Sequence, residues 1–352
     1  GGPKYGNILV MPFGKGMDQL NHIDYRKDET IRLGYYATEF QRTGIYTEIT
    51  TAPRASFYRF TYPEDSLKSL LVDAGSFLGE QPTPDAREAQ QFVGSEIQII
   101  SDHEVMGYTR IRGGWNNGRA YTVYFYAVTD HPFVQTTTWK GNQISNERYQ
   151  PDSQQKTGAL LRFPSSANTI QLKVGISFIS SLKARENVWN EIPPHWSFED
   201  TRQALLAQWE NLLQRIDIAS NTPEKYKRMF YTGIYHTSTP LITLIDPQRE
   251  TDIVRSLINI YKRDGYMPDA RSGNCNGRTQ GGSNAEIVIA DAFVKGLPNI
   301  DYHLALEAML KDATIPPGGN EEAEGRGGLI PYLELGYIPY GIPRAGNRTI
   351  EY

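Results

Sequence analysis

"TIQLKVGISFIS", residues 169–180, alternates without a break. Ile170, Leu172, Val174, Ile176 and Phe178 share one face, and Gln171, Lys173 and Ser177 share the other. Side chains on a strand point alternately to its two sides, so this is a strand with one apolar face. Upstream, "YTVYFYAV" (121–128), "SEIQIIS" (95–101), "SFYRFTY" (56–62) and "GIYTEIT" (44–50) have the same β-branched and aromatic make-up. Turn signals separate them: Ala52-Pro53, Tyr62-Pro63-Glu64-Asp65 and "GGWNNG" (113–118). Many strands with no helical period between them predict an antiparallel sandwich.

Past residue 186 the pattern changes to helices. "SFEDTRQALLAQWENLLQRI" (197–216) puts Leu205, Trp209, Leu212 and Ile216 on one helical face, and Ser197 with Asp200 marks its start. Thr222-Pro223-Glu224 opens a second helix, expected to carry Tyr226, Met229, Phe230 and Ile234 inward. Asp246-Pro247 opens a third, ending at Gly265 and expected to bury Ile253, Leu257, Ile260 and Tyr261. A fourth follows Ser283, whose spacing to Glu286 fits a capping box. Residues 287–294 are apolar nearly all round apart from Asp291, so this helix is expected to be enclosed. "DYHLALEAMLKDA" (301–313) is amphipathic and is expected to lie outside it. Alternating enclosed and half-exposed helices predict two concentric layers.

The composition bounds the function. A chain of 352 residues predicts two domains. A net charge of −4 gives no pull toward nucleic acid. No apolar stretch is long enough to span a membrane. The single cysteine, Cys275, excludes an intrachain disulfide and a cysteine metal cluster. The start, "GGPKYGNILVMP", shows no basic-then-apolar leader, so a signal peptide is expected to be absent or removed. Tyrosine is plentiful, with 22 copies, which suits sugar faces and also suits ordinary β-cores.

Common catalytic motifs are missing, and the six histidines show no metal-ligand spacing. The segment 265–282 is the leading candidate site. It holds Asp269, Arg271, Asn274, Asn276, Arg278, Thr279 and Gln280, side chains that suit a polyhydroxylated ligand. Backbone N–H groups of the helix that follows point toward it. The other reading is a polar surface connection. Asp291, in an apolar helix, is read as a structural acid and Glu286 as a cap. Trp115 suits either a sugar platform or packing at the domain boundary.

Several stretches, taken together, resemble glycoside hydrolase family 92. They are "YGNILVMP" (5–12), "TAPRASFYRFTYP" (51–63), "QLKVGISFISSLKAREN" (171–187), "RMFYTGIYHT" (228–237), residues 240–296, "EGRGGLIPYLELGYIP" (324–339) and "RTIEY" (348–352). The resemblance is to its calcium-dependent α-mannosidases, fungal members above all. It implies an N-terminal antiparallel β-sandwich over 1–185, a helical linker over 186–222 and a partial (α/α)6 barrel over 223–352. It also implies inverting hydrolysis of terminal α-mannose on glycans, with Ca2+ as the metal and a secreted or vacuolar location. Asp269, Arg271 and Asn284 are the sugar-contacting residues it implies here.

The resemblance also implies gaps. The family's His-rich and Trp-bearing sandwich loops would precede Gly1. A segment with a Trp-Asp-Thr-Phe-Arg motif would fall inside "YHTSTPLITLIDP" (235–247), where its two ends meet. The general acid, the general base and the main calcium ligands would follow Tyr352. "GGNEEAE" (318–324) precedes "RTIEY" and so does not match the acid motif. The expectation is a chain without catalytic residues, inactive as it stands, or a non-catalytic glycan- or partner-binding remnant. Inner barrel helices should then show exposed apolar faces.

Overall fold

The computed structural model describes residues 6–15, 17–20, 22–80, 89–114, 118–235, 239–268, 270–272, 275–277, 284–318 and 324–342. The chain divides into two compact units. One holds residues 1–114 and 119–208, the other 115–118 and 209–352.

The first unit contains strands β1 (Asn7–Phe13), β2 (Arg26–Arg32), β3 (Tyr35–Phe40), β4 (Tyr46–Thr51), β5 (Ala55–Thr61), β6 (Ser69–Phe77), β7 (Gln90–Ile99) and β8 (Glu104–Gly113). They are followed by β9 (Gly118–Thr129), β10 (Gln135–Lys140), β11 (Gln143–Ser145), β12 (Tyr149–Ser153), β13 (Thr157–Arg162) and β14 (Thr169–Ser177). These form a five-stranded sheet, ordered β1-β6-β13-β10-β11, and a nine-stranded sheet, ordered β12-β7-β8-β9-β14-β5-β4-β3-β2. β14 is central and antiparallel to both neighbours, with Leu172 opposite Tyr58 on β5 and Thr129 on β9. The predicted antiparallel sandwich is what the chain forms.

The inward row of β14, Ile170, Leu172 and Val174, joins Phe60, Phe125, Leu70, Val72 and Leu161 in the core between the sheets. The alternation read from the sequence stops there. Ile176 and Phe178, expected to continue that row, are exposed. At the same end of the strand the outer face becomes the buried one. Two helices cover it: α1 (Ser181–Glu191) and α2 (Phe198–Leu213). Ala184, Val188, Ile192 and Phe198 meet Ala55, Phe57 and Tyr126 on that outer face. The centre of the nine-stranded sheet, at β5, β14 and β9, is therefore buried on both sides.

α1 starts where Ser180 accepts the N–H of Lys183. Asn187 donates to the carbonyl of Ile176 at 2.8 Å, closing the end of β14. Gly175 lets the helix come this near, since a Cβ there would lie 2.3 Å from the Ala184 carbonyl oxygen. α2 begins as the sequence predicts: Ser197 Oγ accepts the N–H of Asp200 at 3.1 Å, and Asp200 accepts the N–H of Ser197 at 2.9 Å. Arg59 ties α2 to the sheet. It donates twice to Glu48 and once to Glu199, and its guanidinium lies 4.5 Å above the Phe198 ring.

The second unit contains the helices α3 (Glu224–Tyr235), α4 (Thr239–Ile245), α5 (Pro247–Asp264), α6 (Asn284–Val294), α7 (Tyr302–Thr314) and α8 (Leu329–Leu335). The predicted caps of α5 are present: Asp246 at the start and Gly265, with φ 87°, at the end. Its buried face is rotated from the expected one. Glu250, Thr251, Val254 and Ile258 are buried, whereas Ile253, Leu257, Ile260 and Tyr261 are half-buried flanks. α5, α6 and α7 pack around Val254, Ile258, Ile289, Ala292, Ala305 and Ala308.

Two expectations for the helices fail. α6 is not enclosed: Ala285, Ile289 and Ala292 are buried, but Ile287, Phe293 and Val294 are exposed, Val294 by 82%. On α3, Tyr226, Met229 and Phe230 face solvent instead of a core, and the side chain of Ile234 lies outside the described residues. The reason is common to both. An apolar stripe on a helix is buried only if another element covers it, and none of the described elements covers these. α8 adds Ile330, Leu333 and Leu335 to the exposed set.

Two outcomes follow. Gly175→Ala should cost about 2–3 kcal/mol, because its Cβ meets the backbone of α1 at Ala184 as well as the Val188 side chain; urea unfolding of the sandwich measures it. The 352-residue chain on its own should self-associate through the uncovered faces of α3, α6 and α8. Sedimentation velocity checks this, and a monodisperse monomer would contradict it.

Candidate functional site

The candidate segment begins at the α5 C-cap. Gly265 takes the left-handed conformation, and Tyr266, Met267 and Pro268 turn into the interior. The sequence reading left 265–282 without regular structure. The structure places a short hairpin in it, β15 (Ala270–Ser272) against β16 (Cys275–Gly277), with Arg271 opposite Asn276. Ser272 pairs with Cys275 at the other end of the ladder. Arg271 therefore sits on a strand backbone. Its side chain lies outside the described residues, as do Asp269, Ser283 and Trp115. Asn284 is the first residue of α6 and is exposed.

The first turn of α6 holds the strongest electrostatic feature of this unit. Glu286, read from the sequence as a cap, is buried beside Asp312 from α7 and Arg326 from the segment before α8. Arg326 Nη2 lies 3.7 Å from Glu286 Oε1, and the two carboxyl groups share a hydrogen bond. The backbone N–H of Met267 donates to Asp312 Oδ1 at 3.3 Å. Burial, reinforced by the Glu286 charge, pushes the Asp312 carboxyl up to about 7. Glu286 is raised as well by burial, against the pull of Arg326. Two carboxyls in contact cannot both ionise cheaply, so they hold one proton between them.

Around this pair the contacts are structural. The Tyr266 hydroxyl donates to the carbonyls of Ile315 and Pro316 at 3.2 and 3.3 Å. Lys311 lies 4.6 Å above the Tyr266 ring. The triad thus ties the start of the candidate segment to α6 and α7. Asp312 and Arg326 were not singled out in the sequence, and Glu286 was given another role. Burial alone makes them notable, and burial follows from partners 26 to 40 positions away.

A second acidic group lies between α4, α5 and α6. Asp291, read as a structural acid, is ion-paired with Lys295 at 2.8 Å and accepts from Thr243 Oγ1 at 3.2 Å. It is half-buried, and these partners lower its pKa. Glu250, 1% exposed, has neither carboxylate oxygen hydrogen-bonded among the described residues. Burial and the nearby Asp291 charge raise it.

Neither group is the acid–base pair of an inverting hydrolase, whose carboxyls stand about 6.5–9.5 Å apart to admit water. Glu286 and Asp312 touch, and Asp291 is neutralised by a lysine. Nor do they suit calcium, which takes 6–8 oxygen ligands. Among the described residues no three His, Cys, Asp or Glu side chains converge, and a guanidinium occupies the side of Glu286 that a cation would need.

The shared proton has a measurable consequence. Between the ordinary carboxylate range and about 7, the folded protein binds a proton that the unfolded chain does not. Stability of this unit should therefore fall as pH rises through that window, the reverse of a salt-bridged aspartate. Asp312→Asn, which fixes the protonated hydrogen-bond pattern, should flatten the dependence. Urea midpoints for both proteins across the window check this.

Comparison with known proteins extends over both units. The N-terminal domain of glycosyl hydrolase family 92 matches residues 1–177, and its catalytic domain matches 183–239 and 237–352. The two catalytic-domain pieces meet inside the stretch 235–247. An uncharacterized secreted glycosidase of Arthroderma benhamiae is 29% identical over 410 residues, covering 100% of this chain and 50% of that protein. The inverting family 92 mannosidase BT2199 of Bacteroides thetaiotaomicron superposes with a TM-score of 0.79 at 23% identity, over 95% of this chain and 49% of its own. The α-mannosidase BT3965 of the same bacterium, in complex with mannoimidazole, gives 0.78 at 20% identity, over 95% and 49%. These structures fit a sandwich followed by an α/α barrel, and the chain spans about half the length of the relatives it matches. With both of the family's domains matched in order over nearly every residue, the chain belongs to glycosyl hydrolase family 92.

Proposed function

We propose that this chain is part of an inverting α-mannosidase that removes terminal α-linked mannose from glycans. The observation that carries the reading is the ordered match of both family domains. In it, the sandwich is the scaffold, and the segment from Gly265 to the start of α6 is one wall of the sugar site. Asp269, Arg271 and Asn284 are its sugar-contacting residues. A carboxylate, a guanidinium and an amide offer acceptors and donors at fixed angles, which suits vicinal hydroxyls. The Glu286–Asp312–Arg326 triad is the brace behind that wall.

The reading assigns bond cleavage elsewhere. In an inverting mechanism one carboxylic acid protonates the leaving oxygen, and a second carboxylate takes a proton from the attacking water. Glu286 and Asp312 stand in contact, with no room for a water between them, and Asp291 is paired with Lys295. The acid, the base and the calcium ligands belong, on this proposal, to the half of the family's length outside these residues. Secretion belongs to the same reading and is supported by the description of the Arthroderma relative.

The test is mannose release from α-mannobiose, followed by NMR of the anomeric protons. The 352-residue chain should release mannose no faster than buffer. A protein that adds the rest of the family's catalytic domain should release β-mannose first and lose at least about a hundredfold in rate on Arg271→Ala. Turnover by the short chain, or α-mannose as first product, would contradict the proposal.

A further inference from the structure

The nine-stranded sheet carries a second group of sugar-suited side chains, well away in sequence from the segment just discussed. α1 covers its outer face as far as Met106 and Tyr126. Beyond them a row crosses the neighbouring strands β12, β7, β8 and β9: Tyr149, Glu96, Tyr108 and Tyr124. Glu96 is paired with Tyr108 in the sheet. The Tyr149 hydroxyl donates to Glu96 at 3.1 Å, and the Tyr108 and Tyr124 rings meet edge-to-face at 5.5 Å. Tyr149 is 46% exposed, and Tyr108 and Tyr124 are half-buried. Four strands at about 4.8 Å spacing make the row about 14 Å long.

Beside this row lies a polar margin. Arg110 Nη2 is 3.7 Å from Asp152 Oδ2, and the guanidinium lies 5.4 Å above the Tyr108 ring. Gly94, opposite Arg110, makes room for Asp152, whose Oδ1 would lie 3.0 Å from a Cβ there. The surface thus offers tyrosine faces, two carboxylates and one guanidinium. Tyrosine faces take the C–H side of a pyranose ring, and fixed carboxylate and guanidinium groups take its hydroxyls. Two carboxylates against one guanidinium disfavour a polyanion.

We propose that this row is a non-catalytic binding surface for a short neutral oligosaccharide, carried by the sandwich itself. The sugar's rings would lie on Tyr108 and Tyr124, with Arg110, Asp152 and Glu96 at their hydroxyls. The claim does not depend on the segment at 269–284. It would give a glycan-hydrolysing protein a hold on the chain it trims.

Calorimetry with a linear α-mannotriose tests it on the 352-residue chain carrying Arg271→Ala, which disables the other segment. Saturable binding is expected. The further change Tyr108→Ala with Tyr124→Ala should weaken it at least about tenfold. If that variant does not melt like its parent, Arg110→Gln, a change at the surface, must weaken binding instead. No saturable binding to the Arg271→Ala chain overturns the proposal and leaves the family reading intact. Binding unchanged by the tyrosine substitutions, or by Arg110→Gln where they do not fold, overturns it too.

Discussion

Burial of the centre of the nine-stranded sheet on both faces is the constraint on which the first unit depends. One face is covered by the five-stranded sheet, the other by α1 and the start of α2. The second cover requires a helix to approach β14 to within backbone contact, and Gly175 permits it. It also requires polar groups at the helix–sheet border to find partners. Asn187 takes the Ile176 carbonyl, Arg54 takes Glu191, and Arg59 joins Glu48 to Glu199. Each is a charged or amide group that would be costly to leave unpaired there.

The helical unit is built on the same rule and satisfies it less fully. α5, α6 and α7 bury a small core rich in alanine, with Glu286, Asp312 and Arg326 tied together at one end. The outer sides of α3, α6 and α8 keep large apolar side chains in water. Such faces are what additional helices of a barrel would cover, and the family's catalytic domain matches here in two separate pieces.

Local signals in the sequence were legible, and signals that depend on distant partners were not. The cap of α5 at Asp246, its end at Gly265 and the Ser197–Asp200 box are set by residues within four positions, and each was readable. The period of β14 was readable up to Val174. Its reversal at Ile176 was not, because the packing of α1, Ser181–Glu191, decides it. The buried stripe of α5 was misplaced because Glu250 is on it, and a carboxylate argues against burial on its own. Asp312 carries no local signal in the sequence. Only the fold sets it against Glu286. Of the three candidate sugar contacts, Asn284 is placed at the head of α6, Arg271 on the hairpin strand, and Asp269 lies outside the described residues.

The central claim is that the centre of the nine-stranded sheet is covered on both faces while the helical unit has faces still open. Hydrogen exchange followed by mass spectrometry on the 352-residue chain tests it most directly. Peptides from β5, β6, β13, β14 and α1 should exchange slowest, only through global unfolding of the sandwich. Peptides from α3, α6 and α8 should exchange well before them. Equal protection of α3 and α6 with the sandwich strands would contradict the account.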